Sequence, residues 1–146
     1  MNETIDIEPT ARELRPVLGA AVIELGYMVK DADGVAVNLT GATHRCLLKR
    51  NHRDADNDAV CAFEVEVAAP ATGRVTLRLV PAAPPDPYEA PAAGTYYPDY
   101  SGTEVQYGYV AAGTYYASHL FVLDGEPHTP LELVLTFGLP VTRAVA

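Results

Sequence analysis

The feature that most constrains this chain is a short-range alternation of apolar and polar residues, repeated in segments bounded by turn residues. Ala21, Ile23, Leu25, Tyr27 and Val29 alternate with smaller or polar neighbours. So do Val75, Leu77 and Leu79 against Arg74, Thr76 and Arg78, and Leu131, Leu133, Leu135 and Phe137 near the end. Successive side chains of a strand point to opposite faces, so period two predicts strands with one buried face. No segment carries the 3.6-residue period of an amphipathic helix. Thr10–Arg15 has the composition for one helical turn, which Pro16 would end.

Turn chemistry separates the strands. Asp31-Ala-Asp33-Gly34 predicts a turn leading into a short return strand, Val35 to Leu39, and Thr40-Gly41 predicts another. Thr43–Arg50 and Val60–Val67 predict a hairpin around the polar stretch 51–58. In the first strand Cys46 and Leu48 share a face opposite Arg45 and Lys49. In the second, Cys61, Phe63, Val65 and Val67 share one opposite Glu64 and Glu66. If Phe63 lies near Leu79 on the following strand, Glu64 falls opposite Arg78. Gly113–Leu123 predicts a further strand and Asp124-Gly125-Glu126 a turn. About seven short strands without a helix point to an all-β, immunoglobulin-like antiparallel β-sandwich. Its expected limits are residues 20–140, after an N-terminal arm (1–19) and before a C-terminal tail (141–146).

The 146 residues suit one domain with a core large enough to fold without metals or disulfides. No apolar run approaches a membrane span, and the acidic opening does not read as a secretory signal. Ten basic and nineteen acidic residues give a net charge of −9, and no Lys or Arg occurs between Leu79 and Thr142. Such a surface cannot grip a phosphate backbone, so a nucleic-acid partner is not expected.

Residues 81–112 break the alternation. Five prolines fall between Pro81 and Pro91, and eight of nine tyrosines between Tyr88 and Tyr116. Ala92-Ala-Gly-Thr-Tyr-Tyr97 recurs as Ala111-Ala-Gly-Thr-Tyr-Tyr116, which suggests a duplicated turn and strand forming an extra hairpin. Tyrosine gives large, rigid, amphipathic contact area at low entropic cost. Tyr96, Tyr97, Tyr100, Tyr107 and Tyr109 are therefore the candidate interface residues. The competing reading has the rings covering the sandwich's own edge. A sugar site beside Asp86, Glu89, Asp99 and Glu104 is a third, which no spacing selects.

The only basic cluster is His44, Arg45, Lys49, Arg50, His52 and Arg53, placed on the hairpin's outer face. Arg50 and Arg53 are the candidates to meet an acidic neighbour. Asp54-Ala-Asp56-Asn57-Asp58 opens like a calcium loop, but Ala59 and Val65 stand where Gly and Glu are needed, so it reads as a solvated tip. Cys46 and Cys61 point inward and fall opposite each other in this register, within reach of a disulfide, with two reduced core thiols as the alternative. The serines and histidines show neither nucleophile-elbow nor metal-ligand spacing. No catalytic residue, metal or cofactor is expected.

Three segments in order, Asp31-Ala-Asp33-Gly34-x-x-x-x-Leu39-Thr40-Gly41-Ala42-Thr43, then Ala71-Thr72-Gly73-Arg74-Val75-Thr76-Leu77, then Ala112-Gly113-Thr114-Tyr115-Tyr116, carry a resemblance. The series is similar to the immunoglobulin-like N-terminal domain of phage upper-baseplate proteins and to related phage structural modules. It spans roughly residues 18–138, interrupted by the long excursion where the family has a short connection. The resemblance implies a non-enzymatic virion component of tail, baseplate or neck, assembled in the host cytoplasm. Its partners would be other virion proteins and copies of itself, with no membrane, nucleic acid or small-molecule substrate. A capsid decoration protein and a host-glycan-binding module are the alternatives.

Overall fold

The structure, a computed structural model, describes residues 10–20, 22–51, 53–85, 90–101 and 107–139. Ten strands form two mixed sheets packed as a sandwich. They are β1 (Thr10–Leu14), β2 (Ile23–Met28), β3 (Thr43–Lys49), β4 (Cys61–Ala62), β5 (Glu64–Glu66), β6 (Arg74–Pro81), β7 (Thr95–Asp99), β8 (Tyr109–Ala111), β9 (Gly113–Leu123) and β10 (Glu126–Phe137). The first sheet has the order β1-β10-β9-β3-β4. The second has the order β2-β6-β7-β8, with β5 also paired to β6.

The period-two faces meet in the middle. Cys46 and Leu48 of β3, Tyr115, Ala117, Phe121 and Leu123 of β9, and Leu131, Leu133, Leu135 and Phe137 of β10 are buried against Val75, Leu77 and Leu79 of β6. The β9–β10 hairpin turns at Asp124 and Gly125, both at positive φ (53° and 79°). That geometry matches the twist of the two strands it joins. Pro130, which cannot donate to a ladder, sits where the β9–β10 register shifts, between His128 and Leu131. Glu64 falls opposite Arg78, as its spacing predicts. Glu24 is opposite Arg78 on the other side, and Glu66 also reaches it at 3.7 Å.

Several sequence expectations need correction. Thr10–Leu14 forms no helical turn. It pairs in parallel with Leu131–Leu135, so part of the expected arm is an edge strand of the sandwich. One isolated turn would fix several dihedrals for a single hydrogen bond, whereas the waiting edge of β10 supplies a ladder. Val35–Leu39 makes only an isolated bridge, Lys30 to Ala36, although Val37 and Leu39 are buried. Val60–Val67 is not one strand. Cys61–Ala62 pairs with β3, Glu64–Glu66 pairs with β6, and the chain changes sheet at buried Phe63.

This crossing changes the cysteine register. Cys61 lies opposite Leu48, and Cys46 accepts instead from the Phe63 N–H (2.8 Å). The two cysteines are diagonal neighbours, both buried and both free thiols. Diagonal residues are about 7–8 Å apart at Cα, beyond ordinary disulfide reach.

The excursion is also not outside the fold. β7 and β8 extend the second sheet, running parallel to β6 and to each other. Parallel pairs therefore join the expected antiparallel ones, and among the described residues the excursion forms no extra hairpin. The prolines keep the pairing short: β7 bonds β6 only at Thr95 and Tyr96, and β8 only from Tyr97 to Asp99.

Candidate functional site

The tyrosines divide into core and surface. Tyr96 is 0% exposed and Tyr97 4%, so neither serves as a surface contact. Tyr96 meets Phe137 edge to face, ring centroids 5.7 Å apart, and its hydroxyl oxygen accepts from the Gly19 N–H at 3.0 Å. Burial raises its phenol pKa. Tyr97 packs on half-buried Tyr109 with centroids at 5.5 Å. The break in alternation over 81–112 hides this placement: the strand after Gly94 pairs with β6 and enters the sandwich. Tyr100 and Tyr107 are exposed, at 59% and 46%.

Tyr100 has a defined place. A Cβ on Gly19 would lie 1.9 Å from the Tyr100 hydroxyl oxygen, so the phenol lies directly over that glycine. Gly19 (φ 77°) belongs to the segment by which the chain leaves β1, follows β10 and enters the second sheet. Leu18 donates to the Gly138 carbonyl (2.7 Å) and Gly138 to that of Pro16 (3.0 Å). Around this crossing stand the exposed apolar residues Val17, Val22 and Leu139. An open groove of about 400 Å³ runs beside them, lined by Leu14, Pro16, Val17, Ala20, Val22 and Ile23 together with the charged Arg15 and Glu24. β1 and β2, on either side of the crossing, are end strands of their sheets. Four of the six large exposed apolar side chains among the described residues, Val17, Val22, Tyr100 and Leu139, thus gather at one end of the sandwich. Sequence reading missed this patch because its members are far apart in the chain.

The basic hairpin is less free than expected. His44 faces inward. Arg45 and Lys49 both pair with Asp56 at 2.8 Å, and Lys49 also donates to the Asp54 carbonyl. The Lys49 hydrogen bond, helped by the Arg45 charge, holds Asp56 below the usual carboxylate range. Polar residues 54 and 56 thus fold over the outer face of β3, leaving a pocket of about 180 Å³ against Tyr116 and Ser118. Arg50 and Arg53 are exposed. His52, Asp86, Tyr88, Glu89, Glu104 and the C-terminal tail lie outside the described residues.

The second cluster is internal. His119 shares the inward face of β9 with Ala117 and Phe121 and is wholly buried. Its Nδ1 bonds the Tyr27 hydroxyl from β2, and its Nε2 faces His44 Nδ1 at 2.9 Å. Tyr27 and His119 stand edge to face, while His44 and His119 stack. Burial, with His44 alongside, pushes His119 down to about 3, so the ring is neutral. Burial also lowers His44 and raises Tyr27. The sequence singles out no role for His119, and its partners lie 75 and 92 residues away in the chain.

Burial pushes Cys46 and Cys61 up to about 12, which leaves them as protonated, unreactive thiols. Among the described residues no three His, Cys, Asp or Glu side chains are grouped to hold a metal, and no helix is long and apolar enough to cross a membrane. No protein-family model matches the chain, and no curated protein matches it.

Proposed function

We propose that this chain is a non-enzymatic structural component of a bacteriophage virion, a β-sandwich that docks neighbouring subunits in a tail, baseplate or neck. The observation that carries the docking reading is the gathering of Val17, Val22, Tyr100 and Leu139 beside the end strands β1 and β2. Exposed apolar residues scattered singly need no explanation, but a group gathered beside end strands suits a protein partner. The virion assignment is supported by the three ordered segments that resemble phage baseplate modules, and by an acidic surface unsuited to nucleic acid.

The occupant is another protein of the same particle or a second copy of this chain. Val22→Glu and Tyr100→Glu place charge in the patch without touching the core. Each is expected to keep the thermal midpoint within a few degrees while abolishing incorporation into particles pelleted from a producing culture. A wild-type chain absent from those particles would overturn the virion reading. Charged variants that assemble normally would overturn the surface.

A further inference from the structure

We propose that Tyr27, His119 and His44 form an acid-responsive latch between the two sheets, in which a proton taken up at His44 withdraws the acceptor that holds Tyr27. The latch is independent of the docking surface and stands on the hydrogen-bonded row that crosses the sandwich from β2 to β3 through β9.

The protons can be assigned by satisfaction. A neutral imidazole offers one donor and one acceptor. If the Tyr27 O–H donates to His119 Nδ1, then His119 Nε2–H donates to His44 Nδ1, and His44 keeps its Nε2–H. Every proton in the row then has a direction that ends toward the half-buried His44 ring. The opposite polarity would leave the Tyr27 O–H to find another acceptor. The first arrangement is therefore the neutral ground state.

Acid reverses it. His44 is the less buried of the two rings, and a doubly protonated His44 carries a proton on Nδ1. That proton must be donated to His119 Nε2, which obliges His119 to carry its own proton on Nδ1 and point it at the Tyr27 oxygen. Tyr27 changes from donor to acceptor, and its hydroxyl proton loses its partner. The balance is one proton in from solvent at His44 and one proton shifted within His119, with no other group consumed.

The surroundings do not offset the change. Cys46 lies directly across from His119 on β3, with Cys61 beyond it, and both are neutral thiols. Leu131 is opposite on β10, and the inward residues of β6, Val75, Leu77 and Leu79, are apolar. His128 packs, tilted, on the far side of Phe121 (ring centroids 5.0 Å), with Glu126 4.0 Å from its Nε2. Among the described residues, no carboxylate is hydrogen-bonded or ion-paired to the row. The strand weakened by the unpaired Tyr27 hydroxyl proton is β2, an end strand whose ladder among the described residues is made with β6 alone.

Amide exchange on the full chain at about pH 7.5 and about pH 4.5, expressed as protection factors, tests this. Protection in 23–28 is expected to fall about tenfold or more on acidification while the β9–β10 ladder holds. Tyr27→Phe, which keeps the ring, is expected to show low β2 protection already at neutral pH and little further change. Imidazole nitrogen resonances should show His119 protonated on Nε2 at neutral pH and on Nδ1 in acid. Uniform loss across all strands, acid-insensitive β2 protection, or an unchanged acid response in Tyr27→Phe would each overturn the latch.

Discussion

Tyr96 and Tyr115, equivalent residues of the two Ala-Ala-Gly-Thr-Tyr-Tyr copies, press edge-on against the same ring, Phe137, from opposite sheets. Their centroids lie 5.7 and 5.5 Å from it. Each hydroxyl oxygen accepts a backbone N–H, from Gly19 for Tyr96 and from Ala111 for Tyr115. The repeated hexapeptide therefore builds two halves of one aromatic clasp rather than a hairpin.

Removing half of that clasp should be costly. Tyr96→Ala is expected to destabilise by about 3–5 kcal/mol, the usual range for a large buried aromatic. Tyr96→Phe, which leaves the Gly19 N–H without its acceptor, should cost about 1 kcal/mol. Urea denaturation measures both. For the same reason deletion of 84–108 should leave no cooperative unfolding transition, since it removes a core residue and a strand of the second sheet.

Gly19 is held by two constraints, its positive φ and the phenol above it. Gly19→Ala is expected to lose about 1–2 kcal/mol from backbone strain, plus whatever displacing Tyr100 costs. In Gly19→Ala/Tyr100→Ala the steric part should vanish and the backbone part remain. Simple additivity of the two single variants would show that they do not meet.

Stability should fall in acid in a defined direction. The folded chain keeps His119 neutral down to about pH 3, whereas an unfolded histidine binds a proton near pH 6.5. Between those values the unfolded state carries more protons. Stability is therefore fully present above about pH 6.5 and falls as pH drops, by up to about 1.4 kcal/mol per pH unit for one histidine. The lowered His44 adds in the same direction. Urea midpoints at several pH values between 7 and 4 give the slope. A flat profile there would contradict a neutral buried His119.

The thiols should be silent until the chain unfolds. With Cys46 and Cys61 buried, diagonal and held near 12, aromatic disulfide reagents should label neither at neutral pH, and both in denaturant. Air oxidation of the folded protein should not produce an internal disulfide. Non-reducing mass analysis after proteolysis reads this directly.

What the sequence by itself determined is the local pattern: which residues alternate, where turns fall, and that Arg78 meets Glu64. Those follow from strand geometry and turn chemistry, which act over a few residues. Parity also set the inward side of Cys46 and Cys61 and the shared face of Val75, Leu77 and Leu79. Only the tertiary structure decided that the chain changes sheet at Phe63, which moved the cysteines from facing to diagonal. It alone put Tyr96 into the core and joined Tyr27, His119 and His44 into one row. A period of two states which side a residue faces within its strand, but not which sheet the strand joins. That choice depends on contacts between residues tens of positions apart, whose burial outweighs any local preference.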